Sequence, residues 1–259
     1  MRFSRINGVV IYHAERGRAD GPVVVFSNSL GTDFRIWNEV AADLARDYRL
    51  IFYDKRGHGL SEATPAPYAL TDHVADLAAL LDHLRIGKAT IVGLSVGGLI
   101  AQGLATLRPE LVERLVLCDT AHKIGTEDLW DARIDAVTKN GIGSIAGPIL
   151  ERWFTPAFRD PANADFTGYA AMLTRTTADG YAGTCAALRD ADLTESTRAL
   201  KLPVLCIVGD QDGSTPPELV RSTADLINGS HFAIVADAGH LPCVEQPAAT
   251  AKLIRDFLR

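Results

Sequence analysis

The pentapeptide Gly93-Leu94-Ser95-Val96-Gly97 follows the apolar run Ala89-Thr90-Ile91-Val92 directly and continues into Gly98-Leu99-Ile100-Ala101-Gln102. A chain that turns this sharply from a strand into a helix holds the serine in a strained backbone conformation, and the flanking glycines let the two elements approach closely. The hydroxyl then projects away from both elements. The first N–H groups of the helix point at any negative charge that forms beside it. Gly-rich turns after strands also serve as plain chain reversals, so reading Ser95 as a nucleophile depends on what accompanies it.

On both sides of this turn, short β-rich runs alternate with amphipathic stretches. That order builds an α/β fold, a mostly parallel central sheet flanked by helices on both faces. Strands are predicted over 9–13, 23–27, 49–53, 89–92, 114–117, 204–208 and 231–235, and helices over 37–44, 70–84, 99–107, 217–227 and 248–258. Several strands are continuous apolar runs, as expected of strands buried on both faces. The opening Met1-Arg2-Phe3-Ser4-Arg5 reads as leading into a polar turn, with neither a secretory leader nor a membrane span. A cytoplasmic location is the expectation.

The alternation breaks between residues 122 and 200, where helical segments carry Trp130, Trp153, Phe154, Phe158, Phe166, Tyr169 and Tyr181 and no convincing strand. An insertion this long between two core strands is read as a helical cap over the carboxyl edge of the sheet. The expected organisation is therefore a core of residues 1–121 and 201–259 with a cap insertion at 122–200.

A nucleophilic serine needs a base, and Asp237-Ala238-Gly239-His240-Leu241-Pro242 places His240 just after the last predicted strand. His58 and His122 are rivals. His13 lies near an N-terminal hairpin, His231 starts a strand, and His73 and His83 fall on a polar helix. The base in turn needs a carboxylate to fix its tautomer and stabilise the imidazolium. Asp212, in the loop Gly209-Asp210-Gln211-Asp212-Gly213-Ser214-Thr215-Pro216 after the 204–208 strand, is the choice over Asp210 and over Asp119, which ends another strand. The oxyanion donors are expected to be the backbone N–H groups of Val96, the residue after the serine, and of Leu30 in the small-residue turn Asn28-Ser29-Leu30-Gly31-Thr32.

The formal net charge of −6 comes without a compensating basic block, which argues against nucleic acid or an anionic membrane as partner. The four cysteines have no paired close spacing, and two lie in apolar strand-like runs. They read as buried reduced thiols, with no metal site and no disulfide.

With these residues in place, the chain resembles the α/β-hydrolase superfamily along essentially its whole length, including the order serine, aspartate, histidine. The loop Asn28-Ser29-Leu30-Gly31-Thr32-Asp33 stands where many relatives have a His-Gly dipeptide, and Tyr53-Asp54-Lys55-Arg56-Gly57-His58-Gly59-Leu60-Ser61 is a second familiar turn, read as structural. More narrowly the chain resembles the 3-oxoadipate enol-lactonases of the β-ketoadipate pathway for aromatic breakdown. That likeness rests on the Asn28–Thr32 turn, on Arg152-Trp153-Phe154-Thr155-Pro156, and on the stretch from Gly180 to Asp192. It implies a serine hydrolase that needs no cofactor and opens a small anionic lactone. Trp130 then occupies a cap position facing the serine, Trp153 is either a substrate contact or cap packing, and Arg133, Arg152 and Arg189 are the cations available to the substrate carboxylate. Trp37 is expected to pack against the oxyanion turn. The alternatives are a general carboxylesterase or cofactor-free perhydrolase with the same triad, a C–C hydrolase, and, from another class, a non-catalytic ligand-binding protein on the same fold. A dehalogenase is disfavoured because it presents an aspartate where Ser95 stands.

Overall fold

The strands are β1 (Arg2–Ile6), β2 (Val9–Gly17), β3 (Val23–Ser27), β4 (Arg49–Tyr53), β5 (Ala89–Leu94), β6 (Val112–Cys118), β7 (Val204–Gly209) and β8 (His231–Val235). The helices are α1 (Asn38–Leu44), α2 (Leu70–His83), α3 (Val96–Leu107), α4 (Glu127–Asn140), α5 (Ala146–Trp153), α6 (Ala164–Thr174), α7 (Ala178–Asp190), α8 (Thr194–Arg198), α9 (Pro217–Leu226), α10 (Pro242–Glu245) and α11 (Pro247–Leu258). This computed structural model describes residues 1–259. No helix is long and apolar enough to cross a membrane.

All eight strands join one sheet in the order β1-β2-β4-β3-β5-β6-β7-β8. The pairs β1–β2 and β2–β4 are antiparallel, and β4–β3–β5–β6–β7–β8 are parallel. This is the α/β-hydrolase sheet. Every residue of β5 and β7 is buried, because helices cover both faces of these central strands. The chain runs outward from β3 to β4, then returns to place β5 on the other side of β3. The direction of winding therefore reverses between β3 and β5, and a crevice opens beyond their carboxyl ends. The turns that carry Leu30 and Ser95 flank that crevice.

The region between β6 and β7 holds α4 to α8 and no strand. Thr126 starts α4, its hydroxyl accepting the Leu129 N–H at 3.4 Å, and Thr177 starts α7 by accepting the Gly180 N–H at 3.1 Å. Trp130, Trp153 and Leu188 from this insertion belong to the same buried apolar cluster as the sheet, so sheet and insertion share one core.

Several elements differ from the sequence reading. Residues 2–6 form strand β1 instead of leading into a polar turn. Only Ile6 of that strand is buried, because β1 is an edge strand paired on one side. Its apolar pattern is correspondingly faint. The signal that marks it is Asn7-Gly8, with φ of 48° and 83° at the two residues, the pair that suits a tight hairpin turn. Helix α3 begins at Val96, directly after Ser95 and three residues earlier than expected, because Gly97 and Gly98 sit inside its first turn. His73 lies on a buried face of α2, with its ring edge against Tyr68 at 5.7 Å between centroids. All four cysteines are free and buried.

Two glycines govern how closely α3 meets the sheet. A Cβ on Gly93 would collide with the Gly97 carbonyl, and one on Gly97 with the Ser27 carbonyl at the end of β3. Gly97→Ala is expected to destabilise the protein by about 2 kcal/mol through overpacking. Gly143→Ala, where the added methyl meets nothing within 4 Å, is expected to stay within about 0.5 kcal/mol of wild type. Urea unfolding of both variants checks the pair.

Candidate active site

Ser95 adopts φ 57° and ψ −121° between β5 and α3, a region that costs an L-residue about 1–3 kcal/mol. Neighbouring groups hold it there. Its N–H donates to the Cys118 carbonyl at 3.0 Å, and its carbonyl accepts from the Thr120 hydroxyl at 2.6 Å and the Gly98 N–H at 2.8 Å. The end of β6 thus clamps the turn at the end of β5. Helix α3 departs behind the serine, and its side chain is presented to a cavity.

His240 and Asp212 meet beside that cavity. Asp212 Oδ1 accepts the N–H groups of Ser214 at 2.7 Å and Thr215 at 3.0 Å. Its Oδ2 accepts the Thr215 hydroxyl at 2.6 Å and His240 Nδ1–H at 2.9 Å. Four donors on a residue 4% exposed favour the ionised carboxylate. An ionised acceptor at Nδ1 places the imidazole proton there and leaves the Nε2 lone pair free. His240 and Ser95 both line the cavity, with no hydrogen bond joining them; such contacts tighten when substrate is bound.

The insertion holds both loops. The His240 N–H donates to the Trp153 carbonyl at 2.8 Å and the Gly213 N–H to the Arg152 carbonyl at 3.3 Å. These are carbonyls of the last turn of α5, which have no intrahelical partner. Glu245 accepts the Gly239 N–H at 2.7 Å and the N–H and hydroxyl of Thr155 at 3.0 and 2.7 Å.

The rival residues are engaged elsewhere. His58 is buried with Nδ1 3.2 Å from the Arg56 carbonyl, and burial drives its basicity well down. His122 Nδ1 is 3.0 Å from the Thr223 hydroxyl, outside the cavity. Asp210 accepts the Ala238 N–H at 3.2 Å. Asp119 is buried beside Asp212 and has no hydrogen bond to His240.

The Leu30 and Val96 N–H groups are the two oxyanion donors expected. Neither donates to a protein acceptor, and Val96, at the first position of α3, has no partner within the helix. Lys55 supports this turn and escaped the sequence reading. Its Nζ, 1% exposed as a residue, donates to the carbonyls of Asn28 at 3.3 Å and Ser29 at 2.5 Å, and burial lowers its pKa to about 7. The signal was its place in Asp54-Lys55-Arg56-Gly57, read as a structural turn. Trp37 is fully buried, with its ring 5.1 Å from that of Phe26 on β3.

The cavity has a volume of about 170 Å³, smaller than the roughly 300–1,000 Å³ of sites for drug-sized ligands. Ser95, His240 and Leu30 line one part of it, and Trp130, Arg133, Arg152, Trp153 and Tyr181 another. The Trp130 indole N–H donates to the Ile124 carbonyl at 2.7 Å. With its N–H committed in this way, Trp130 offers the cavity its apolar face. Arg133 lies over that ring, 4.9 Å from its centroid. Arg152 Nε is buried without a partner, and desolvation followed by the Arg133 charge makes its guanidinium more acidic than usual. Arg189 is not brought to the cavity; it pairs with Asp131 at 2.8 Å and Asp190 at 2.7 Å on an outer face of the insertion. A larger depression of about 810 Å³ contains the Asp33–Arg35 ion pair but neither Ser95 nor His240. Asp119, Asp212 and His240 are the one group with spacing suited to a metal ion. Hydrogen-bond donors from its own turn and from His240 already balance the Asp212 charge, so the carboxylate does not call for an ion.

Lys55→Met is expected to leave two buried carbonyls unpaired, to destabilise the fold by about 2–4 kcal/mol, and to slow ester hydrolysis by about tenfold through a loosened Leu30 turn. Denaturation and steady-state kinetics check both effects.

Residues 22–247 match the family model described as alpha/beta hydrolase fold. The chain is 38% identical over 241 residues to 3-oxoadipate enol-lactonase 2 of Acinetobacter baylyi, covering 93% of this chain and 90% of that protein. Among solved structures it superposes on the enol-lactonase from Burkholderia xenovorans LB400 with a TM-score of 0.96, 34% identity and 99% coverage of both chains. It superposes on a thermophilic esterase from Thermogutta terrifontis, solved with malate bound, with a TM-score of 0.94, 27% identity and coverage of 100% of this chain and 98% of that one.

Proposed function

Because this chain belongs to the α/β-hydrolase family, we propose that it hydrolyses 3-oxoadipate enol-lactone to 3-oxoadipate, a step of the β-ketoadipate pathway, with Ser95 as nucleophile, His240 as base and Asp212 as its carboxylate. One observation carries this reading furthest. A small cavity ending at Ser95 contains two guanidinium groups, Arg133 and Arg152, neither paired to a carboxylate of the protein. Two half-buried cations without counter-charge in one cavity suit a substrate that brings its own carboxylate. The enol-lactonase relatives at 38% and 35% identity support the same choice.

The reaction follows from the positions of the donors. Ser95 Oγ attacks the lactone carbonyl as its proton passes to His240 Nε2, and the Leu30 and Val96 N–H groups receive the charge that develops on the carbonyl oxygen. Asp212 stabilises the imidazolium. Collapse breaks the ring C–O bond and releases an enolate, a better leaving group than an alkoxide. His240 returns the proton and the enol settles as the ketone. Water then attacks the acyl-enzyme with His240 again as base, giving the free acid and restoring Ser95. Trp130 supplies an apolar wall, and residues 122–200 serve as the cap that closes the site.

Loss of freshly prepared enol-lactone, followed by ultraviolet absorbance, tests the reading. Ser95→Ala is expected to lose at least about 10⁴-fold in kcat. Arg133→Met and Arg152→Met are each expected to raise KM for the lactone about tenfold while leaving the hydrolysis of a neutral aryl ester within about twofold. A wild-type protein that hydrolyses aryl esters and ignores the lactone would move the assignment to a general carboxylesterase or perhydrolase. Ligand binding without labelling of Ser95 by a covalent serine probe would move it to a non-catalytic binder.

A further inference from the structure

Asp119 is the charged-type residue beside the site that the reaction above does not use. It directly follows β6 at φ 46°, is fully buried, and accepts a single hydrogen bond, from the Gly209 N–H to Oδ1 at 2.9 Å. Its Oδ2 is buried with no partner. One oxygen of Asp119, one of Asp212 and one ring nitrogen of His240 all lie within 4.8 Å of one another. Two carboxylates this close and this dry do not both stay ionised, so one of them keeps a proton. The donors decide which. Asp212 accepts four hydrogen bonds that favour its charged form, whereas Asp119 accepts one.

We propose that Asp119 is a positioning residue, a neutral carboxylic acid whose Oδ2–H donates toward Asp212 and holds that carboxylate on His240 Nδ1. This rests on the serine-hydrolase reading of the site but not on the identity of the substrate. Burial first, and then the Asp212 charge, push the Asp119 carboxyl well above the usual range. The other titratable groups facing it do not reverse this. Cys118 on β6 and Cys243 on α10 are thiols made less acidic by burial, and the Glu245 carboxylate on α10 raises Asp119 further. The uncharged donor withdraws part of the Asp212 charge without adding a second negative charge near the imidazole. Asp212 thereby stabilises the imidazolium without taking its proton.

The acidic limb of the pH profile of kcat/KM, which reports ionisation of the base in the free enzyme, separates a neutral Asp119 from an ionised one. A neutral aryl ester is the substrate. Asp119→Asn keeps an uncharged donor, and is expected to leave the limb within about 0.3 pH unit and kcat/KM within about threefold of wild type. Asp119→Leu removes the donor. It is expected to raise the limb, because an unrelieved Asp212 charge favours the imidazolium, and to lower kcat/KM by about tenfold or more. A fall of about half a unit or more in the limb of Asp119→Asn means that a negative charge was removed, and overturns the proposal; a limb in Asp119→Leu that coincides with wild type also overturns it. Infrared difference spectra at neutral pH give a readout independent of activity. A protonated-carboxyl carbonyl stretch present in wild type and missing in Asp119→Asn is expected, and the absence of that band from wild type sinks the idea. If wild type neither hydrolyses the ester nor labels at Ser95, the serine-hydrolase reading fails, and the infrared band still decides the state of Asp119.

Discussion

The left-handed backbone of Ser95, wedged between a fully buried strand and an apolar helix, is the constraint around which the rest of the molecule is arranged. A residue at φ 57° does not stay there on its own account. It is held because β5 and α3 are buried almost throughout, because Gly93 and Gly97 allow the helix to pass the carbonyl at the end of β3, and because Cys118 and Thr120 satisfy the polar groups of the turn. Strain of a few kcal/mol at one residue is tolerable when the burial of whole elements opposes its relief. The strain leaves the hydroxyl accessible and the Val96 N–H free, which is the geometry a nucleophile with an adjacent anion site requires.

The inserted helices do more than cover this turn. The last turn of α5 offers two carbonyls that have no helical partner, and they accept the N–H groups of His240 and Gly213. The side chains of the same two residues, Arg152 and Trp153, line the cavity. Two cavity-lining side chains and the anchors of the His240 and Asp212 loops are therefore carried on one helix end. Glu245 strengthens the junction by binding Thr155 on one side and Gly239 on the other. A shift in this segment that reshapes the cavity also moves His240, because two backbone hydrogen bonds and the Glu245 carboxylate tie the two together.

Buried charge in this fold is handled in three ways. Arg56 and Asp76 form a forked ion pair with both bonds at 2.6 Å, to which Asn7 adds a third hydrogen bond. Asp212 is stabilised by donors from its own turn and from His240. Lys55 binds two carbonyls and gains further support from the neighbouring Asp54 and Asp33 charges. Arg133 and Arg152, both half-buried, pair with no carboxylate and line the cavity.

The sequence by itself determined the alternation of strands and helices, the turn at Ser95, and the loops carrying His240, Asp212 and Leu30. Each of these depends on local chemistry: apolar runs of strand length, glycines where backbones meet, and polar loops after buried strands. It left β1 unread, because an edge strand with one buried residue has little hydrophobic pattern to display. Tertiary structure alone decided which distant groups became neighbours. Whether Arg189 or Arg152 reaches the cavity depends on which face of a helix meets the sheet, and the rival carboxylates of Arg189, Asp131 and Asp190, lie 58 residues and one residue away along the chain. Lys55 under the oxyanion turn, the Trp130 indole committed to a carbonyl, and the carboxyl of Asp119 against that of Asp212 are also products of long-range packing. No local pattern encodes them, because the burial that fixes their bonding and charge exists only once the sheet has closed against its inserted helices.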